Sequence, residues 1–196
     1  MDELTFRHMC NDSGMQNRFD LQGIDLKKLN QNIESRVSEQ YIASTMQTCF
    51  LKASDTTVEE MIVLEGGYSR ENIQEAAKQI IREQSVLRSF YQEKQGGHLI
   101  FEYEYDGSFY VPYIDLRYAS PEFFNNVQDI MLGMRNDKFV TSGKNVLSKI
   151  AIVRRSEKQH VIHIFVHHSV WDKISTQIFK ERILNLLNGK PGPSLL

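Results

Sequence analysis

The sequence predicts an α/β (α+β) fold, a mixed β-sheet flanked by helices. Three observations carry that expectation. Behind Ser69, an N-cap residue, Ile73, Ala77, Ile80, Gln84 and Leu87 recur at helical spacing. Near the C-terminus "VLSKIAIVRR" and "HVIHIFVHH" are two apolar runs on either side of the polar turn "SEKQ", a strand–turn–strand signature. Helical and strand-like segments alternate along the chain rather than segregating, which is the pattern of sheets covered by helices.

The remaining elements follow in order. Residues 1–37 read as a polar tail or linker with a short helix, because Leu26, Leu29, Ile33 and Val37 follow Ile24 at helical spacing. "IASTMQTCFLK" (42–52) allows a second helix, with Ile42, Met46 and Phe50 four residues apart and Cys49 read as core. "EEMIVLEG" is a short strand that stops at Gly66-Gly67, and the Ser69 helix comes next. "GGHLIFEYEYD" has turn glycines and then alternation, so it is a strand. Ser120-Pro121-Glu122 is a helix start, with cap, proline and first-turn acid. Its stripe is Phe123, Phe124, Val127, Ile130, Met131 and Met134. After the two C-terminal strands a helix runs from about Lys173 to Leu187, and Gly189 ends it. One structural unit spans residues 38–188, and 189–196 open a Pro/Gly linker.

The 196 residues are 41% hydrophobic and 24% charged, enough for one core without disulfide or metal staples. A net charge of -2 points to neither nucleic acid nor an anionic membrane. Cys10 and Cys49 form neither a disulfide framework nor a metal cluster, so they are expected as free thiols in a reducing, cytoplasmic setting. The N-terminus has no apolar run of a secretory signal, and no stretch is long enough for a membrane span. "SGKN" and "NGKPG" lack P-loop spacing, and no dinucleotide fingerprint follows a strand.

The chemistry concentrates in "HIFVHHSVWDKIS" (163–175). Side chains alternate along a strand, so His167 and His168 face opposite sides if the strand runs through both. His163 and His167 share a face but stand ~13 Å apart, too far for one ion, so no metal is expected. His168 ends an apolar face (Ile162, Ile164, Val166) at the carboxyl end of a strand, where sites of open α/β sheets gather. It reads either as a core histidine bonded to a backbone carbonyl or as a general base. Asp172 stands where the next helix begins, as an N-cap or as a partner to an arginine. Ser175 falls in the first helical turn, and no G-x-S-x-G elbow marks it as a nucleophile.

"HHSVWD" resembles the HHxxxDG motif of the condensation domains of nonribosomal peptide synthetases, in the chloramphenicol acetyltransferase-like superfamily. "ASTMQTCFL" is similar to that family's opening S-x-x-Q segment, and "EQSVLRSFY" resembles its R-H-E-x-L-R-T motif near the end of the first long helix. "DKFVTSGKNVLSKIAIV" is similar to the family's F-D-L-x-x-G-P-L-x-R stretch, and "LLNGKPGPSLL" looks like the linker after the motif helix. The resemblance runs from about Ser38 to the end and covers the N-terminal lobe of a domain about twice as long.

The resemblance implies a chloramphenicol acetyltransferase-like half fold and acyl transfer between a donor and an acceptor, giving an amide or ester. The substrates ride on the phosphopantetheine arms of peptidyl or acyl carrier domains, and no cofactor binds directly. It implies His168 as the catalytic second histidine, His167 as the first, Asp172 in a structural salt bridge, and Arg88 as the second arginine of the upstream motif. The implied partners are carrier domains and a C-terminal lobe, with self-association through the exposed cleft face. There are two departures. Lys173 stands at the motif glycine, and Glu83 at the first arginine, beside Arg82. Two other readings remain open: a coenzyme A-dependent acyltransferase lobe, and a degenerate docking module without activity.

Overall fold

The computed structural model describes residues 36–53, 56–95, 97–119, 127 and 145–190. The elements are β1 (Val37–Ile42), α1 (Thr45–Lys52), β2 (Thr57–Glu65), α2 (Arg70–Glu83), a 3-10 turn (Ser85–Arg88), β3 (Ser89–Lys94), β4 (Gly97–Tyr103), β5 (Tyr113–Asp115), β6 (Ser148–Ser156), β7 (Gln159–His167) and α3 (Lys173–Leu187). They form two sheets. A three-stranded antiparallel sheet has the order β1-β4-β3, and a four-stranded sheet has the order β2-β7-β6-β5. The second is mixed, because β5 pairs parallel to β6 while β2, β7 and β6 pair antiparallel.

Register lines up the core. Ile62 stands opposite Ile162, and Ile162 opposite Ile152, so one face of the four-stranded sheet carries a row of isoleucines no more than 3% exposed. Ile73, Ala77 and Ile80 of α2 and Phe179 and Ile183 of α3 join the same continuous core, and the two helices pack together. Fully burying each of the isoleucine and phenylalanine side chains stabilises the fold by about 1.5–3 kcal/mol. Ser69 caps α2 by accepting the Asn72 amide, and Gly189 closes α3 at φ +66°, a region that suits glycine.

Where periodicity misreads the chain, sheet pairing explains why. Val37, placed by its spacing in a helix, opens β1, and Gln40 stands opposite Phe101 of β4. The rest of that helix, from Ile24, and the N-terminal tail lie outside the described residues. The Ser69 helix ends at Glu83. Leu87 continues its apolar spacing from the 3-10 turn, where it is fully buried. "SFY" then belongs to β3, because Phe90 pairs with Phe101 and the two rings stack at 4.9 Å. Periodicity missed β5 as well. α1 begins at Thr45, later than Ile42, behind a capping box of Ser44 and Gln47. Cys49, expected in the core, is exposed on α1. The helix expected from Ser120 lies outside the described residues apart from Val127, which is helical and 4% exposed.

Candidate active site

β7 delivers the histidine pair to its carboxyl end. The strand stops at His167, whose amide donates to Leu147 O at 2.9 Å. His168 therefore sits in a turn rather than on the ladder. Its amide donates to Thr56 O at 2.7 Å, so the turn is tied to the residue just before β2.

The two imidazoles meet different surroundings. His167 is 4% exposed. Its Nε2 lies 2.6 Å from Thr56 Oγ1 and its Nδ1 2.8 Å from Ser169 Oγ, and the Ser169 amide donates to Nδ1 at 3.2 Å. Burial, with His168 adjacent, lowers its pKa to about 4, so the ring is neutral at pH 7. His168 is half-buried. Its Nδ1 lies 2.7 Å from Trp171 O, an acceptor, so Nδ1 carries the proton and the Nε2 lone pair stays free. The Phe50 ring tilts against the imidazole at 4.3 Å between centroids. Trp171 is held in turn, since its indole N–H donates to Thr176 Oγ1 at 2.9 Å and its ring meets Phe179 edge-on. The carbonyl bond expected of a core histidine is present, and it is also what leaves the other nitrogen available as a base.

Asp172 is exposed and caps α3. Its Oδ1 accepts the Ser175 amide at 2.8 Å and the Ser175 hydroxyl at 2.7 Å, and these bonds, the amide first, hold the carboxyl below its usual range. Among the described residues it makes no ion pair with an arginine; the first-turn amide takes that place. Asp172→Ala is expected to cost about 1 kcal/mol through lost capping. Urea denaturation of both forms measures it. Lys173 opens α3 without a positive φ, so the loop geometry does not demand glycine there.

Arg88 spends its guanidinium on backbone carbonyls and serves the fold. It is 8% exposed, donates through Nε to Tyr103 O at 2.9 Å, and through Nη1 to Ile81 O and Arg82 O, which closes the C-terminal end of α2. Burial pushes its pKa down. Glu83 finds its own cation: Arg182 of α3 grips it through Nε and Nη2 at 2.7 and 2.5 Å. This bidentate pair lowers the Glu83 pKa, raises that of Arg182, and ties α2 to α3. Either single alanine substitution should cost about 1 kcal/mol, with the double mutant close to either single one. Thermal melts of the cycle test this.

Thr56, Phe50, Ser169 and Trp171 escaped sequence reasoning as site residues. Ser169 and Trp171 lie inside the histidine motif, a usable signal. Thr56 sits in the polar run "ASDTT" and Phe50 in a helical stripe, and neither advertises a role.

A family model of the condensation domain matches residues 18–194. The chain belongs to the condensation domain family. No curated protein sequence matches it significantly. Among solved structures, the starter condensation domain of rhizomide synthetase is similar at a TM-score of 0.66 and 19% identity, over 80% of this chain and 40% of that one. The first condensation domain of the calcium-dependent antibiotic synthetase, in complex with a substrate analogue, gives 0.65 and 19% over 81% and 41%. The tallysomycin biosynthesis protein TlmII gives 0.65 and 16% over 78% and 39%. The chain thus spans about 40% of the condensation domain structures it matches, as one lobe does, and its two sheets and helices form half of a chloramphenicol acetyltransferase-like fold. No described helix is long and apolar enough to cross a membrane.

Proposed function

We propose that the chain is the N-terminal lobe of a condensation domain that joins an acyl or aminoacyl donor to an acceptor, each on the phosphopantetheine arm of a carrier domain. The observation that carries this reading is the His168 ring, with Nδ1 committed to Trp171 O and Nε2 free on a half-buried edge. An acceptor amine attacks the donor thioester carbonyl and a C–N bond forms. The tetrahedral oxyanion then collapses, the C–S bond breaks and the thiolate leaves. His168 Nε2 takes the proton from the amine nitrogen and passes it to the departing sulfur. An acceptor hydroxyl gives an ester by the same route. No protein nucleophile is needed, because the donor arrives as a thioester.

The lobe by itself is inactive on this reading. A single lobe offers one wall for the two arms, and alignment in a closed channel is worth several kcal/mol of barrier. Water in an open cleft also weakens oxyanion stabilisation. The experiment supplies loaded donor and acceptor carrier proteins and follows product by mass spectrometry, with the chain alone and within its two-lobed domain. Product from the two-lobed domain only is the expected result. Turnover of free acyl-coenzyme A with a small acceptor would instead make the protein a coenzyme A-dependent acyltransferase.

A further inference from the structure

The geometry points to Thr56 as the residue that positions the catalytic turn, holding the side chain of His167 and the backbone of His168 together. This rests on His168 being the reacting base. Thr56 uses both of its oxygens. Its carbonyl accepts the His168 amide at 2.7 Å, and its hydroxyl oxygen lies 2.6 Å from His167 Nε2.

The direction of the second bond follows from the other side of the ring. The Ser169 amide can only donate, and it points at His167 Nδ1. The Ser169 hydroxyl, 2.8 Å from the same nitrogen, can turn its proton either way, so the amide decides: Nδ1 is the acceptor, and the proton of the neutral imidazole sits on Nε2. Nε2–H donates to Thr56 Oγ1. One unbroken chain of bonds then runs from Ser169, through His167, to Thr56 and back to the His168 amide. Thr57, the next residue, stands opposite His167 in the β2–β7 register, so Thr56 lies at the end of the ladder, where pairing alone no longer fixes the chain. His167 thus acts as a strut between the Thr56 hydroxyl and the far side of the turn, and Thr56 transmits that restraint to the backbone that carries His168.

Misplacing a base by about 1 Å can cost about a hundredfold in rate, and a loss that falls on kcat separates this role from a merely stabilising one. Thr56→Val keeps shape and carbonyl and removes the hydroxyl; Thr56→Ser restores it. Two measurements test the proposal. Long-range nitrogen–proton NMR of the 196-residue chain reads the His167 tautomer without any need for activity. The expected result is Nε2–H in the wild type and in Thr56→Ser, with that preference lost in Thr56→Val. In the two-lobed domain with loaded carriers, Thr56→Val should lower kcat about tenfold with little change in KM, and Thr56→Ser should recover most of it. A proton on Nδ1 of His167 in the wild-type chain overturns the proposal whether or not any variant folds. An unchanged His167 tautomer in Thr56→Val, or a kcat equal to wild type in that variant, overturns it too. A wild-type domain with no turnover on loaded carriers defeats the reading of His168 as base instead, and the NMR arm then still decides whether Thr56 fixes His167.

Discussion

His168→Ala, made in the two-lobed domain, is expected to cut product formation by about 10²–10⁴-fold while leaving the fold intact. The rate effect follows from the ring's free Nε2, for which His167 is no substitute: it is buried, neutral, and bonded at both nitrogens. The small stability effect follows from position. His168 is half-buried in a turn, and alanine removes one bond to Trp171 O and the contact with Phe50, while the backbone bond to Thr56 O remains. Product assays on loaded carriers paired with melting curves of the 196-residue chain make the comparison. A variant that loses activity and melts much earlier would make His168 a structural residue. A variant that keeps most of its activity would remove it from the chemistry.

Acid should unfold the chain steeply between about pH 6.5 and pH 4. His163 and His167 are 5% and 4% exposed, and burial lowers both pKa values to about 4. In the unfolded chain each titrates near 6.5, so in this window the unfolded state binds protons that the folded state refuses. Stability from both groups is complete above pH 6.5 and drains away as pH falls towards 4, by roughly 3 kcal/mol for each histidine. Neighbours do not reverse the sign. Around His163, Glu59 is 3.9 Å from Nδ1, too far for a hydrogen bond, and Arg155 pushes in the same direction as burial. Around His167 stand Thr56, Ser169 and His168. His160, fully buried against Tyr113, shifts down as well. Urea denaturation at several pH values between 7.5 and 4 gives the slope, and His163→Gln should flatten it. Stability that holds level down to pH 4.5 would contradict the prediction.

Helix–strand alternation was legible from local pattern because the strongest elements bury one face each. The α2 stripe, the β6–β7 hairpin and α3 could be read that way, and α3 runs from Lys173 to Leu187 as expected. β1, β3 and β5 were not legible. β1 is mostly exposed, β5 has three residues, and β3 follows a helix whose apolar spacing continues through Leu87. Their strand state comes from partners distant in the chain, which no local period encodes. That the strands divide into two sheets is a fact of pairing of the same kind.

The site divides along the same line. The sequence by itself determined the residue types and their order: two histidines closing an apolar strand, an aspartate at a helix start, and an arginine after a long helix. Spacing along a strand and cap chemistry are local, so they survive without a fold. Only the tertiary structure decided what each group does with its protons. It gave His167 to Thr56 and Ser169, freed Nε2 of His168 by occupying Nδ1 with Trp171 O, and set Phe50 of α1 against the ring. It also turned Glu83 from a departure into a tie by placing Arg182 against it, 99 residues along the chain. The physical reason is that hydrogen-bond partners and burial are set by which segments meet. Thr56 and His167 are 111 residues apart, and nothing between them in the sequence records that they touch.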